Sequence, residues 1–323
     1  MTEQKLLVVT SSPHTKHKST TQKIMLDVII ALLPALCWAV YQFGIRSLIL
    51  TLVTVLTCMI SEEAFCRITK RESSVHDLSC VVTGMLLAFN LPVTIPMWMA
   101  VLGAIFAIVV VKMLFGGIGQ NIVNPALAAR VFMFLSFSAY MQPANDLYSE
   151  TVGKLVNTDV VASATPLSQA VGTSSVLDLF IGNINGVIGE VSALCLLIGG
   201  VYLVLRRVIT WHIPVAYLGT VALLSLISLP EGASLGVYVA TQLFGGGLML
   251  AAIFMATDYA TSPVTPWGRI LFGVGCGAIT MVFRLFSTNT EGASFAILVM
   301  NLLVYYIDRF TMPKRFGTRK SKA

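Results

Sequence analysis

The sequence predicts an all-α polytopic membrane protein whose ten spanning helices form two inverted five-helix repeats. Three observations carry this. The chain is 56% hydrophobic and 11% charged, with a mean hydropathy of +0.83, against roughly 25% charged residues in an ordinary soluble domain. Ten apolar runs can be counted, five on each side of one long polar interval. A Pro-rich element recurs at corresponding places in the two halves.

Residues 1–23 are a polar, basic arm without the cleavage pattern of a signal peptide, so the arm is expected to stay on the protein. A helix needs about 20 apolar residues to cross the hydrocarbon core. Runs of this character lie at 24–43, 47–65, 78–91, 97–113 and 124–141, which together make a first repeat over 24–141. The polar interval 142–186 follows as an outer loop. Runs at 187–205, 213–229, 239–257, 270–286 and 293–307 make the second repeat over 187–308, and 309–323 is a basic tail. Each run must be helical or shielded by other helices, because an isolated strand would leave backbone groups unpaired in lipid.

Basic residues set the expected orientation. With the N-terminus inside, the inner segments hold Lys5, Lys16, Lys18 and Lys23, then Arg67, Lys70, Arg71 and Lys112, then Arg206, Arg207, Arg269 and the tail. The outer segments keep Arg46, Lys154 and a borderline Arg284. The positive-inside rule then puts both termini in the cytoplasm and residue Thr165 on the outer face. The net charge of +6 is accounted for by topology and calls for no nucleic acid.

The recurring element is Asn90-Leu-Pro-Val-Thr-Ile-Pro-Met-Trp98 in the first half and Asp258-Tyr-Ala-Thr-Ser-Pro-Val-Thr-Pro-Trp267 in the second. Both share Pro-Val-Thr, a further Pro and a Trp, and both precede a full apolar run. A repeat with five crossings inserts its second copy upside down, so the halves are expected to be related by an axis in the membrane plane. Gly and Pro beside the third and eighth runs suggest helices broken at membrane depth, tolerated where protein buries them or they line a cavity.

The densest candidate site is Gly116-Gly-Ile-Gly-Gln-Asn-Ile-Val-Asn-Pro-Ala126. Its glycines, Gly116 and Gly117 among them, permit positive φ or close backbone approach, and Asn124 can cap a helix opened by Pro125. Gln120 and Asn121 beside them could present amides to a polar heterocycle. A dinucleotide fingerprint is a poor match, because no soluble βαβ unit surrounds the glycines. In the second half, Gly245-Gly-Gly-Leu-Met-Leu and Met255-Ala-Thr-Asp258 are the counterpart. Asp258 at the end of an apolar helix is either a functional carboxylate or a residue emerging at the inner surface. Arg130 lies early in the fifth run, where snorkelling to the inner face accounts for it and a phosphate or flavin contact is the alternative. Asp27 and Glu190 sit near helix starts, where the dipole already favours a carboxylate. The six cysteines form no C-x-x-C pair and the four histidines do not cluster, so no disulfide framework and no metal site are expected.

The polar interval contains Asp159-Val-Val-Ala-Ser-Ala-Thr-Pro-Leu167. Small neighbours leave the Thr165 hydroxyl open to a large modifying enzyme, and Pro166 keeps Thr165 out of helix. The stretch resembles the site at which a flavin transferase joins FMN to a threonine through a phosphoester. Asp159, Ser163, Ala164 and Thr165 fit that pattern, and Ala162 departs from it, standing where Ser or Thr is usual.

With the arm Ser12-Pro-His14 followed by Ile24-Met25, the Thr83-Gly84 to Pro96 element, and the segments 116–126, 159–167 and 246–263, nearly the whole chain resembles the D subunit of the Rnf complex. That complex is an ion-translocating ferredoxin:NAD oxidoreductase of bacteria and archaea. The B subunit of the sodium-translocating NADH:quinone oxidoreductase is the related alternative, with a longer N-terminal region. The resemblance implies an inverted-repeat bundle similar to urea channels, with FMN esterified to Thr165 and a second, noncovalent flavin of the riboflavin type. It further implies an electron-transfer subunit, without a complete active site, of a redox-driven Na⁺ or H⁺ pump in the cytoplasmic membrane of a prokaryote. Its partners would be the other Rnf subunits, the bilayer and, during maturation, a flavin transferase. A channel or transporter on the same repeat, or a structural anchor without cofactor, are the readings from other classes.

Overall fold

A computed structural model describes residues 20–141, 176–182, 187–189, 192–230, 234–287 and 292–313. All regular structure among them is helical. The principal helices are α1 (Thr21–Phe43), α2 (Ile45–Ile68), α3 (Ser79–Phe89), α4 (Met97–Met113) and α5 (Pro125–Ser136). After the interval come α6 (Ala193–Leu205), α7 (His212–Ile227), the bent pair Leu235–Phe244 and Leu248–Met255, here α8, then α9 (Pro266–Phe286) and α10 (Ala293–Thr311). Short helical turns at Ser138–Met141 and Val176–Ile181 flank the interval.

Four of these helices, α1, α2, α9 and α10, are long and apolar enough to cross a membrane, and α8 makes a fifth if its bent pair is one span. The chain is therefore a multi-pass membrane protein. The remaining helices are shorter apolar segments, and the reason is visible in how they end. The run at 78–91 yields a helix of 11 residues, after which the chain turns through 90–96 while still buried, with Leu91, Val93 and Ile95 all but inaccessible. Backbone groups at such a place need partners from protein. Arg46, in the first turn of α2, supplies them: its Nε donates to the Val93 carbonyl at 2.7 Å and its Nη2 to the Ile95 carbonyl at 3.0 Å.

The break in α8 has a local cause. Gly246 and Gly247 take φ of 68° and 64°, a region costly for any residue with a Cβ, and the axis bends by 57° there. Two helix starts follow the expected capping rule. Asn124 and Thr265 accept hydrogen bonds from the first-turn N–H groups of α5 and α9, and each is followed by Pro in the first helical position.

Helix α1 packs along α6 and α5 meets α10, while α2 packs on α3 and α4, and α7 packs on α8 and α9. The core is filled by large apolar side chains such as Leu32, Leu50, Leu87, Ile108, Leu127 and Phe272. Two helices loosen to π winding as they finish: Phe106–Met113 in α4 and Ala251–Met255 in α8. Such wide turns recur at functional sites, and here both run into the same cavity.

Candidate functional site

A cavity of about 400 Å³ lies where the starts of α1, α3 and α5 meet the ends of α4, α6 and α8. Its walls are apolar in the main, from side chains such as Ile24, Val28, Val82, Leu86 and Phe254. Its polar margin comes from Ser79, Thr83, Lys112, Asn121, Asn124 and Asp258. Small-molecule sites have this make-up, an apolar body with a few placed polar groups in about 300–1,000 Å³.

The glycine-rich loop between α4 and α5 shapes one side. Gly116, Gly117 and Gly119 have φ of 124°, 100° and 80°, so the loop turns on itself in a way β-carbons would oppose. Gly119 and Asn121 reach the cavity, whereas Gly116, Gly117 and Gln120 stand outside its wall. Asn121 Nδ2 donates to the Val123 carbonyl at 3.2 Å, which leaves its side-chain oxygen for a ligand. Asn124 is committed at both ends: Oδ1 accepts from the N–H groups of Ala126 and Leu127 at 3.0 and 3.4 Å, and Nδ2 donates to the Met255 carbonyl at 3.3 Å. Its amide thus joins the start of α5 to the end of α8. Asn301 on α10 completes the junction once its amide is oriented to accept from the Asn124 N–H and donate to the Thr261 carbonyl.

Asp258 stands in the turn beyond α8, on the cavity wall. Burial pushes its carboxyl above the usual carboxylate range, against the opposing hydrogen bonds from the Thr261 hydroxyl and the backbone. Thr261 Oγ1 donates to Asp258 Oδ2 at 3.1 Å.

Arg130 does not snorkel to a surface. It is 6% exposed, and its Nη1 donates to Asn90 Oδ1 at 3.0 Å and to Ser294 Oγ at 2.6 Å. The guanidinium ties the buried turn after α3 to the start of α10, apart from the cavity. Asp27 likewise has a structural partner set, accepting from Tyr202 Oη at 2.9 Å and from Arg206 Nη2 at 3.2 Å across the α1–α6 contact. Thr165, Asp159, Ser163, Ala164 and Glu190 lie outside the described residues.

One buried cluster has no counterpart among the residues that the sequence singles out. Lys112, which reads as an inner-surface charge, is 3% exposed, and its Nζ lies 2.6 Å from Glu62 Oε2 and 2.7 Å from Ser79 Oγ. The signal was present in the sequence: both charges stand inside or beside apolar runs, where an ionisable residue is a functional candidate by default.

The cavity fits a flat heteroaromatic ligand such as a flavin in volume and in having apolar walls with polar groups at the margin. Comparison with known proteins gives the site its context. The model of the NQR2, RnfD, RnfE family matches residues 8–317. The chain is 45% identical to the D subunit of the Na(+)-translocating ferredoxin:NAD(+) oxidoreductase complex of Acetobacterium woodii, over 98% of this chain and 97% of that one. It is 35% identical to the D subunit of the proton-translocating ferredoxin:NAD(+) oxidoreductase complex of Clostridium ljungdahlii, over 98% of each. It is 34% identical to the D subunit of the ion-translocating oxidoreductase complex of Stutzerimonas stutzeri, over 93% of each. A match of this extent, covering arm, both halves and the interval between them, shows that the chain belongs to the NQR2, RnfD, RnfE family.

Proposed function

We propose that this chain is the membrane electron-transfer subunit of an ion-translocating ferredoxin:NAD oxidoreductase complex in a prokaryotic cytoplasmic membrane. The observation that carries the reading is the cavity: a flavin-sized, mostly apolar space, walled by six helix ends and by the loop 114–123, in a chain nearly coextensive with the D subunits of such complexes. The cavity would take a noncovalent flavin of the riboflavin type, with Asn121 and Asp258 among the polar residues and Ile24, Val28 and Phe254 among the apolar residues that would hold it. A bound flavin would supply both one- and two-electron chemistry. The protein's own part is to exclude water from the ring and to hold the polar edge in one orientation.

The second flavin of this reading is FMN, esterified to Thr165 by a flavin transferase. Support comes from the residues themselves: Asp159, Ser163, Ala164 and Thr165 stand at the spacing of a transferase target. The chain binds no NAD itself and depends on the other subunits of the complex for donor and acceptor, and the electron flow drives Na⁺ or H⁺ outward.

The topology proposed with this function is ten spans in two inverted five-helix repeats, with both termini in the cytoplasm and the Thr165 loop outside. Helix packing supports it. A two-fold axis relating the halves pairs α1 with α6 and α5 with α10 and makes the α2 contacts with α3 and α4 recur as α7 with α8 and α9, and these contacts are among those present. In that topology every helix end around the cavity falls on the cytoplasmic side. A flavin in the cavity and a flavin on Thr165 would then lie toward opposite faces of the membrane, as a transmembrane electron path requires.

The deciding experiment is in-gel flavin fluorescence of the denatured chain, made with an active flavin transferase, followed by mass spectrometry of the peptide containing Thr165. An added mass of FMN less water on Thr165 is expected. An unmodified peptide would move the reading to a channel or transporter on the same scaffold.

A further inference from the structure

The Lys112–Glu62 pair at the cavity wall has an orientation that packing alone does not call for. The two side chains are 4% and 0% exposed, and their charged atoms lie 2.6 Å apart. Lys112 Nζ donates a second bond to Ser79 Oγ, and the other carboxylate oxygen of Glu62 accepts from the Ser74 hydroxyl. Lys112 and Ser79 line the cavity, whereas Glu62 does not. The pair is neutral overall but polar, and Lys112 is its member on the cavity wall.

Burying two charges costs several kcal/mol each in desolvation, and a hydrophobic pair of equal volume often packs as well or better. What the hydrophobic pair lacks is a field. In a site shielded from water, a fixed dipole acts on a nearby charge far more strongly than it would in solution.

We propose that Lys112 and Glu62 are electrostatic positioning residues that set the reduction potential of the electron carrier in this cavity. The inference rests on the reading of the cavity as a flavin site. Two-electron reduction by the redox partner of the complex would take up one proton from water and leave the flavin with one negative charge beside the Lys112 end of the dipole. The reduced, more negative form is then held more tightly than the oxidised form, so the potential rises. Neither side chain gains or loses an electron, and no bond to the ligand is made or broken. Ser79 and Ser74 keep the dipole from rotating, because each anchors one end of the pair.

The test uses the full-length chain made without the flavin transferase and loaded with riboflavin, so that only the cavity flavin is present. Its midpoint potential is read by spectroelectrochemical titration, with dithionite as reductant. The double variant Lys112→Met/Glu62→Gln removes both charges at nearly constant volume, and Lys112→Glu/Glu62→Lys reverses the dipole. In the neutral pair, binding of reduced relative to oxidised riboflavin is expected to weaken about tenfold, a fall of about 30 mV for a two-electron couple. The reversed pair is expected to fall further. Flavin retained at an unchanged potential in the neutral pair would overturn the proposal, since a purely structural role alters retention and not potential. Failure of the wild-type chain to take up riboflavin would overturn the cavity reading and this proposal with it, an outcome distinct from the first.

Discussion

Arg284 Nη2 donates to the Gly245 carbonyl at 2.9 Å, so a cation near the end of α9 occupies the gap where α8 breaks. Its Nη1 also donates to the Gln242 carbonyl and, at 3.0 Å, to Gln242 Oε1. The glycine break frees carbonyls that a continuous helix would have paired, and lipid offers no donor in exchange. One planar fork answers two of them from a single side chain. Arg46 does the same for the buried turn after α3.

Replacing Arg284 with Met is therefore expected to cost about 3 kcal/mol, the penalty for buried carbonyls left without a donor. The check is the thermal aggregation midpoint of the detergent-solubilised protein. Arg284→Lys should recover only part of the loss, because one ammonium group lacks the fork. A Met variant as stable as the wild type would show that α8 bends without needing the cation.

Asn124 does two separable jobs. Asn124→Ala removes both the cap of α5 and the donor to the Met255 carbonyl, with an expected loss of about 1–2 kcal/mol and a lower riboflavin content, because the α5–α8 junction frames the cavity. Asn124→Ser keeps a capping oxygen and loses the donor to the Met255 carbonyl. Its stability should fall less than that of the Ala variant while its riboflavin content falls comparably. Equal flavin content in wild type and both variants would leave the junction a packing feature alone. Asn121→Ala should lower flavin content with little effect on stability, since Asn121 Nδ2 holds only a local carbonyl at 3.2 Å.

The parts of this fold legible in the sequence are those set by near neighbours. The capping residue Asn124 with its following proline, the broken eighth run at its glycines, and the apolar runs themselves all depend on local chemistry. What escaped is held by long-range partners. Arg130 reads as a snorkelling side chain, yet its bonds are to Asn90 and to Ser294, 40 and 164 positions away. Lys112 reads as a topogenic charge, yet Glu62 lies beside it only because α4 packs on α2. The run at 78–91 ends its helix at Phe89, and the buried turn that follows is satisfied by Arg46, more than 40 positions away. Pairwise distance is what a single sequence does not contain.

Asp258 predicts a pH dependence. Its folded carboxyl binds the proton more tightly than an ordinary carboxylate, so the protonated form contributes stability that is fully present below the usual carboxylate range. That contribution is lost as pH rises through the raised folded value. Asp258→Asn keeps the shape and an oxygen for the Thr261 hydroxyl but does not titrate. The thermal midpoint of wild type relative to Asp258→Asn should therefore fall as pH increases out of the usual carboxylate range toward neutrality. Parallel pH profiles for the two proteins would refute it.

Thr165 offers the last test, and its logic is chemical. A phosphoester to protein needs a hydroxyl, so Thr165→Ala should abolish covalent flavin completely rather than reduce it. The segment 142–186 lies between the apolar runs, so the variant should still reach the membrane at wild-type abundance and should retain the riboflavin proposed for the cavity. Fluorescence of the denatured band reads the first, and flavin released by denaturation reads the second. Ala162→Ser restores the residue usual in a transferase target and should raise, or leave saturated, the fraction of chains modified. Covalent flavin persisting in Thr165→Ala would place the attachment on another residue.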